Sequence, residues 1–440
     1  MHDALQRLFN VRRDEAVPVL LAMLFFFCVL TALMVLRPAR DALGMQRGIE
    51  AVRWLFMGTA LVTLLANPVF GWLVSRFRRL AFITTTYAFF ALSLLGFHLL
   101  LVLAPAAVGE VSGQVFYVWF SVFNLFATML FWALMADRFS LAQSKRFFAL
   151  IAVGGTLGAV SGPWLASVLA EPLGTPSLLL VSIGFLVLAT VAAWGVARSR
   201  TPDAAAETPR PEPPAIGGSA WAGLKAVFQS RYLLGIAGYV VVMTIMATLL
   251  YFTRLQMVAT LGDDVDLRTA AFARIDLYTQ LATLLLQAAI AGHLMRRLGV
   301  HVVLMLLPLT AALGFVGLAM VGTIAALIVF EAVFRAIQRA LTRPARETLY
   351  VVVSREDKYK SKAFIDTFGY RGGDVIGAQV EGLLGRLGLG LAALSSVAVP
   401  LALAWALLGL WLGLAQRRQA APEAPPHTDP NDRHDTRSPA

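Results

Sequence analysis

Charge and cysteine are both scarce in this chain. Of its 440 residues only 14% are Asp, Glu, Lys or Arg, while 58% are apolar. Soluble domains carry about 25% charged residues, so a solvated globular surface is excluded. A mean hydropathy of +0.72 points instead to a polytopic membrane protein. The lone cysteine, Cys28, excludes a disulfide framework and a cysteine-based metal site. The sequence has no G-x-x-x-x-G-K-[ST] stretch, which excludes a P-loop engine, and no H-E-x-x-H. Its six histidines, His2, His98, His293, His301, His427 and His434, are scattered. No enzyme activity, metal or cofactor is expected. Alternating strands of the β-barrel kind are not visible either.

What is present is a series of apolar runs of about 20 residues or more, each long enough to cross a hydrocarbon core of about 30 Å as a helix. Twelve can be drawn: 17–42, 53–75, 80–104, 113–136, 147–170, 177–197, 232–259, 268–295, 299–321, 323–343, 363–386 and 389–416. Residues 1–16 carry Arg7, Arg12 and Arg13 and lack a small-residue cleavage site, so the first run reads as a retained helix. Lys and Arg concentrate on one side: Arg76, Arg78 and Arg79; Arg138, Lys145 and Arg146; Arg296 and Arg297; Arg355, Lys358, Lys360 and Lys362; Arg417 and Arg418. The opposite loops hold Arg47, Arg53, Arg268 and Arg386. This asymmetry places both termini in the cytoplasm. The net charge of +11 is then expected at anionic headgroups, with the lipid bilayer as partner and no nucleic acid.

Residues 198–231 are rich in Pro and Ala and show no apolar period, which reads as a cytoplasmic linker dividing the spans six and six. The expected organisation is a cytoplasmic segment 1–16, a six-helix bundle 17–197, the linker, a second bundle 232–416, and a disordered tail 417–440. The two bundles repeat one another. GWLVSR (71–76) matches GHLMRR (292–297), and SKRFF (144–148) matches SKAFI (361–365). Gly154, Gly158 and Gly162 recur as Gly369, Gly373 and Gly377, and Arg37 corresponds to Arg254. All these pairs share an offset of roughly 220 residues, as two parallel six-helix repeats would give. The fold class is therefore an all-α polytopic membrane protein of twelve transmembrane helices in two repeats.

An ionised side chain at mid-bilayer costs about 2.5–3.5 kcal/mol on insertion scales, so intramembrane charge needs a partner, a cavity or a task. Span 10 carries Glu331, Arg335 and Arg339 four residues apart, on one helix face. Span 11 carries Asp366, Arg371, Asp374 and Glu381; span 8 carries Arg274 and Asp276; Arg37, Arg40 and Asp41 close span 1. Glu331 with Arg335, and Arg371 with Asp374, are either internal pairs or parts of a site. Arg339 has no acid one turn further on and is expected to face a cavity. Arg37 and Arg40 either snorkel to headgroups or gate a substrate. The glycine triplets read as surfaces for close helix packing, and 354–362 as a basic cytoplasmic loop. The surplus of arginine over acid favours an anionic substrate, because guanidinium forks match phosphate and carboxylate.

Three stretches, LRPARDAL (36–43), LFWALMADRFSLAQSKRFFALIAVGGTLGA (130–159) and RPARETLYVVVSREDKYKSKAFIDTFGYRGG (343–373), resemble the ATP/ADP translocase family of plastids and intracellular bacteria. FARIDLYTQLAT (272–283) is a weaker match. The resemblance implies a major facilitator-like fold and nucleotide antiport, and it covers about residues 17 to 410. In the family's L-R-x-x-K-D motif, Leu36, Arg37 and Asp41 agree and Arg40 replaces lysine. In its K-E-x-x-Y and K-x-K-x-K-A-x-I-D motifs, Arg346 replaces the leading lysine, while Glu347, Tyr350, Lys358, Lys360, Lys362, Ala363, Ile365 and Asp366 fit. Phe120 and Tyr251 stand where the family carries glutamates in spans 4 and 7.

Taken together, the expectation is a monomeric secondary transporter, not an enzyme, in a bacterial cytoplasmic (inner) membrane. Arg37, Arg40, Arg254, Arg339, Arg346 and Arg371 are the candidates for an anionic, nucleotide substrate. Asp41, Asp276, Glu331, Arg335, Glu347, Lys362, Asp366 and Asp374 are the candidates for gating ion pairs. The competing expectation is a proton-coupled carrier of another anion, with Glu331, Asp276 or Asp374 carrying the proton. A polytopic enzyme acting on lipid-linked phosphates is disfavoured by the short loops and the internal repeat.

Overall fold

The computed structural model describes residues 13–76, 79–104, 106–199, 220–290, 294–387 and 391–420. Residues 1–12, most of the expected linker, the tail beyond Ala420 and the start of the GHLMRR repeat lie outside that set. Six helices form the first half: α1 Arg13–Gly44, α2 Ile49–Arg76, α3 Arg79–Leu103, α4 Ala106–Arg138, α5 Leu141–Leu173 and α6 Thr175–Arg198. A short helix, α7 Ala220–Gln229, precedes the second half of α8 Arg231–Ala259, α9 Val265–Ile290, α10 Leu294–Val321, α11, α12 and α13 Leu391–Ala420. Helix α11 runs from Ile324–Ile337 through a π turn, Gln338–Thr342, into Arg343–Leu349. Helix α12 runs from Arg355–Phe364 through a second π turn, Ile365–Gly369, into Tyr370–Arg386.

The described residues of all twelve expected spans are mostly helical, but the spans are not alike. Among the described residues, nine helices have the length and hydropathy to cross a membrane. The rods outside that nine are α9, α11 and α12, the three that carry most of the intramembrane charge. Part of that charge turns toward the interior, where Asp276, Glu331 and Glu381 are buried among partners.

Lipid tails are as apolar as leucine, so close backbone packing holds such rods together more than water exclusion does. The internal repeat is visible in which rods touch. Helix α1 packs on α5 and α6, as α8 packs on α12 and α13, and α3 packs on α6 as α10 does on α13. The glycine repeats sit at two of these contacts. A methyl group at Gly154 or Gly158 would collide with the α1 carbonyls of Met23 or Phe27. One at Gly373 or Gly377 would press on Thr244 or Thr248 of α8. Gly369 makes only ordinary contact. The halves meet along two seams related by the repeat, α5 with α9 and α2 with α12.

Two expectations need correction. The stretch 354–362 is no loop: it is the first part of α12, capped by Ser354, whose Oγ accepts the Asp357 N–H at 3.2 Å. The linker is not structureless throughout, because 220–229 folds as α7 against Arg355–Phe364, with Val227 buried. A ten-residue helix offers too few turns for a period to stand out beside the Pro-rich stretch before it. The π turn in α11 has a local cause. Pro344 has no N–H and would clash with the carbonyl of Ala340, and the chain opens one residue wider just before it, with Arg343 N–H bonding Gln338 O. The second π turn contains no proline and leads directly into the glycines of α12.

Candidate functional site

We call the face holding the C-terminus of α1 the upper face. In the upper half of the membrane domain one guanidinium collects four helices. Arg254 of α8 is 0% exposed. Its Nη1 donates to Asp276 Oδ1 of α9 at 2.6 Å and to Glu331 Oε1 of α11 at 3.5 Å. Its Nη2 donates to the Phe272 carbonyl at 3.2 Å and stands 3.9 Å from Asp41 Oδ2 of α1. Each acid has a second arginine. Arg37 Nε lies 3.7 Å from Asp276, Arg335 Nε donates to Glu331 at 2.7 Å, and Arg40 Nε donates to Asp41 at 2.9 Å. Arg37 and Arg254, the repeat-related pair, thus converge on one carboxylate. Arg37 and Arg40 do not snorkel to headgroups; they are partly buried here.

The two departures from the resembled family fall in the same place. Tyr251 donates its hydroxyl to Asp41 at 2.9 Å and shares a 3.0 Å hydrogen bond with Tyr117 of α4. Arg40 stacks over the rings of Tyr117 and Phe120, 4.8 and 5.2 Å from their centroids. Where carboxylates are expected, a hydroxyl and a ring face hold the span 1 motif instead.

Arg339, one turn below Arg335, donates to the Gln280 amide oxygen at 2.9 Å and pairs with no carboxylate among the described residues. The cluster therefore sets five guanidiniums, of Arg37, Arg40, Arg254, Arg335 and Arg339, against the three carboxylates of Asp41, Asp276 and Glu331. Asp41 Oδ2, Asp276 Oδ2 and Glu331 Oε2 are buried without a hydrogen-bond partner. Most buried polar atoms in proteins have one.

Three cavities adjoin this cluster. A central one of about 430 Å³ lies between the halves, where Arg37, Arg40, Tyr117, Phe120, Tyr251 and Arg371 face it. There Arg371 Nη1 is 3.4 Å from Asp374, which also accepts from Thr248 at 3.2 Å. A lower chamber of about 530 Å³ is lined by Arg339, Arg343, Arg346, Glu347, Lys362 and Asp366, around both π turns. Arg346 bonds the Tyr370 hydroxyl and lies 3.6 Å from both Glu347 and Asp366. Lys362 Nζ donates to Glu347 at 2.5 Å. Burial of Glu347, beyond the expected span, would raise its carboxyl, but the bonded Lys362 ammonium holds it below the usual carboxylate range. The third cavity, of about 350 Å³, lies between α1, α5, α9 and α11. Arg339 borders both it and the lower chamber.

Contacts that sequence reasoning missed join the halves at the upper face. Arg53 of α2 donates to Glu381 of α12 at 2.7 Å, and Gln256 of α8 holds the other Glu381 oxygen at 2.6 Å. Arg386 and Glu50 are 3.1 Å apart on the same seam. On the other seam Arg274 reaches Glu171 at 2.7 Å, and the Thr175 N–H at the start of α6 donates to Asp266 at 2.6 Å. The turn before Thr175 needs Gly174, whose φ of 78° suits a residue without a Cβ.

No curated protein matches the sequence. Among solved structures, a mutant of the nucleoside transporter NupG is similar over 92% of this chain and 100% of its own, with a TM-score of 0.62 at 12% identity. The transporter PepTSo of the POT family gives 0.61 at 14% identity, over 91% of this chain and 98% of its own. A bacterial homologue of the human lysosomal transporter Spinster, in an inward-facing and unoccupied conformation, gives 0.57 at 12% identity, over 93% and 97%. These likenesses show the fold. Residues 19–337, well over half of the sequence, match the Major Facilitator Superfamily, and with two six-helix halves closing around a shared cavity the chain belongs to that family.

Proposed function

We propose that this transporter exchanges nucleotides in the manner of an ATP/ADP antiporter, by alternating access between the two halves. The observation that carries the reading is the guanidinium surplus in the upper cluster, continued in the lower chamber, where Arg339, Arg343, Arg346 and Lys362 face the two carboxylates of Glu347 and Asp366. Uncompensated cations inside a membrane domain are costly, and a polyanion relieves that cost where a neutral solute does not. Arg37, Arg40, Arg339, Arg346 and Arg371 are the proposed phosphate ligands.

The same surplus favours exchange over net uptake. With the cavity empty, reorientation must carry unpaired guanidiniums through a sealed state; with a nucleotide bound, the charge is matched. Arg254 is bonded to Asp276 and Glu331 and lies beside Asp41, and it is proposed as a gate member together with these acids and Arg335. The half-satisfied carboxylates suit pairs that change partners during the cycle. Glu347, Lys362 and Asp366 would do the same at the lower face. The charge asymmetry of the loops supports a cytoplasmic lower face, and a monomer in a bacterial inner membrane completes the proposal.

A second reading, proton-coupled carriage of another phosphorylated or organic anion, rests on the loose Arg371–Asp374 pair facing the central cavity. An anion taking Arg371 would leave Asp374 free to accept a proton. Uptake of α-labelled ATP into proteoliposomes separates the two readings. Nucleotide exchange requires internal ADP and is indifferent to an imposed pH gradient. Uptake that follows the gradient into empty vesicles supports the carrier, and correctly inserted protein with no ATP uptake defeats the exchange reading.

A further inference from the structure

The third cavity differs in character from the two cationic ones it adjoins. Phe26, Leu30 and Met34 of α1 and Ala159 and Val160 of α5 make its walls apolar. Into these walls three polar groups are set: Thr156 of α5 and Gln280 and Thr283 of α9. Thr283 is 2% exposed, and its Oγ has no hydrogen-bond partner, although a threonine in a helix ordinarily bonds a carbonyl one turn back. Gln280, which also lines the cavity, is buried too, and its oxygen accepts from Arg339. A cavity of about 350 Å³ with mostly apolar walls and a few placed donors and acceptors has the make-up of a small-molecule subsite.

Arg339 stands at the junction of this cavity with the cationic lower chamber. A ligand lying across that junction needs a multiply charged end for Arg339, Arg343, Arg346 and Lys362 and an apolar end with hydrogen-bonding edges. We propose that the cavity between α1, α5, α9 and α11 is the base subsite of a nucleotide whose phosphates occupy the lower chamber, with Thr283 and Gln280 reading the base edge. This rests on the nucleotide reading above and adds where the base goes and which residues select it. An acyl chain would fill the same walls but would leave the buried Thr283 hydroxyl unpaired, at a cost. A nucleobase edge offers it a partner.

The test compares ATP with inorganic tripolyphosphate, which has the charge and lacks the base, as competitors for labelled ATP on the purified full-length protein in nanodiscs. Thr283→Val removes the hydroxyl at constant shape and is expected to weaken ATP about fivefold while leaving tripolyphosphate unchanged. Ala159→Leu fills the cavity and is expected to weaken ATP about tenfold or more, again without effect on tripolyphosphate. Arg339→Gln weakens both ligands. Retained tripolyphosphate binding shows that the Thr283→Val and Ala159→Leu variants are folded. Equal loss of both ligands in the two α5 and α9 variants, or unchanged ATP binding in both, overturns the base subsite while leaving nucleotide binding intact. Wild-type protein that binds tripolyphosphate and ATP equally also overturns it. Wild-type protein that binds neither overturns the nucleotide reading and this inference with it.

Discussion

Replacing Arg254 by methionine tests whether the four-helix junction holds the halves together. The substitution keeps an unbranched apolar stem, shortens the side chain by its guanidinium end, and removes a charge that is fully buried. Asp276 then loses its 2.6 Å bond and retains only Arg37 at 3.7 Å, while Asp41 and Glu331 keep Arg40 and Arg335. Breaking a buried pair by removing one partner costs about 3–5 kcal/mol. Because every acid here keeps a second guanidinium, the lower end, about 3 kcal/mol, is expected. Equilibrium unfolding in mixed detergent and SDS micelles reads the loss. The double variant Arg254→Met, Asp276→Asn removes the under-paired carboxylate as well, but also takes Asp276 from Arg37, and should recover part of the loss. A single variant destabilised by less than about 1 kcal/mol, or a double variant no more stable than the single, refutes the view that this junction is an ionic lock.

Three further outcomes follow from the geometry. Glu381→Gln removes the charge from a carboxylate that is 1% exposed and bonded to both Arg53 and Gln256. Spin labels at 108 and 261 in a Cys28→Ala background should then show a longer upper-face distance population, and an unchanged distribution would mean that this seam is not a gate. Gly158→Leu forces a side chain into the Phe27 carbonyl and should destabilise by about 1–3 kcal/mol or prevent insertion, whereas Gly184→Ala, with open space around it, should be neutral or slightly stabilising. Thermal stability of the wild type against Glu347→Gln should diverge with pH. The Glu347 carboxyl is held below its ordinary value in the fold, so its contribution is present above that ordinary value, about 4.3, and fades as pH falls through the lower folded one. Parallel pH curves for the two proteins would contradict this.

The spans were legible because apolar length is a one-dimensional signal, and the positions of intramembrane charge were legible for the same reason. Helices α9, α11 and α12 were found as spans, although their charge puts them outside the nine that hydropathy and length alone select. Pairing was only partly legible. Glu331 with Arg335 and Arg371 with Asp374 are pairs within one helix turn and could be read from spacing. Arg254 with Asp276 and Glu331 joins three helices and has no spacing to read. The upper latches were missed because Arg53, Glu50 and Arg386 sit at helix ends, where charge is ordinary, and because Arg53 and Glu381 meet across 328 residues. Tyr117 carried no signal at all, since an aromatic residue in an apolar span looks like core until Tyr251 and Arg40 are found beside it. Both π turns were invisible to a fixed helical period, although Pro344 marks the place of one.

Exchange of α-labelled ATP against internal ADP, in proteoliposomes containing the wild type or an Arg339→Ala, Arg371→Ala double variant, bears most directly on the central claim that surplus guanidinium in the cavity binds the substrate. The expected result is uptake by the wild type that requires internal ADP and disappears in a correctly inserted double variant. Wild-type rates in that variant, or no exchange by folded wild-type protein, would contradict it.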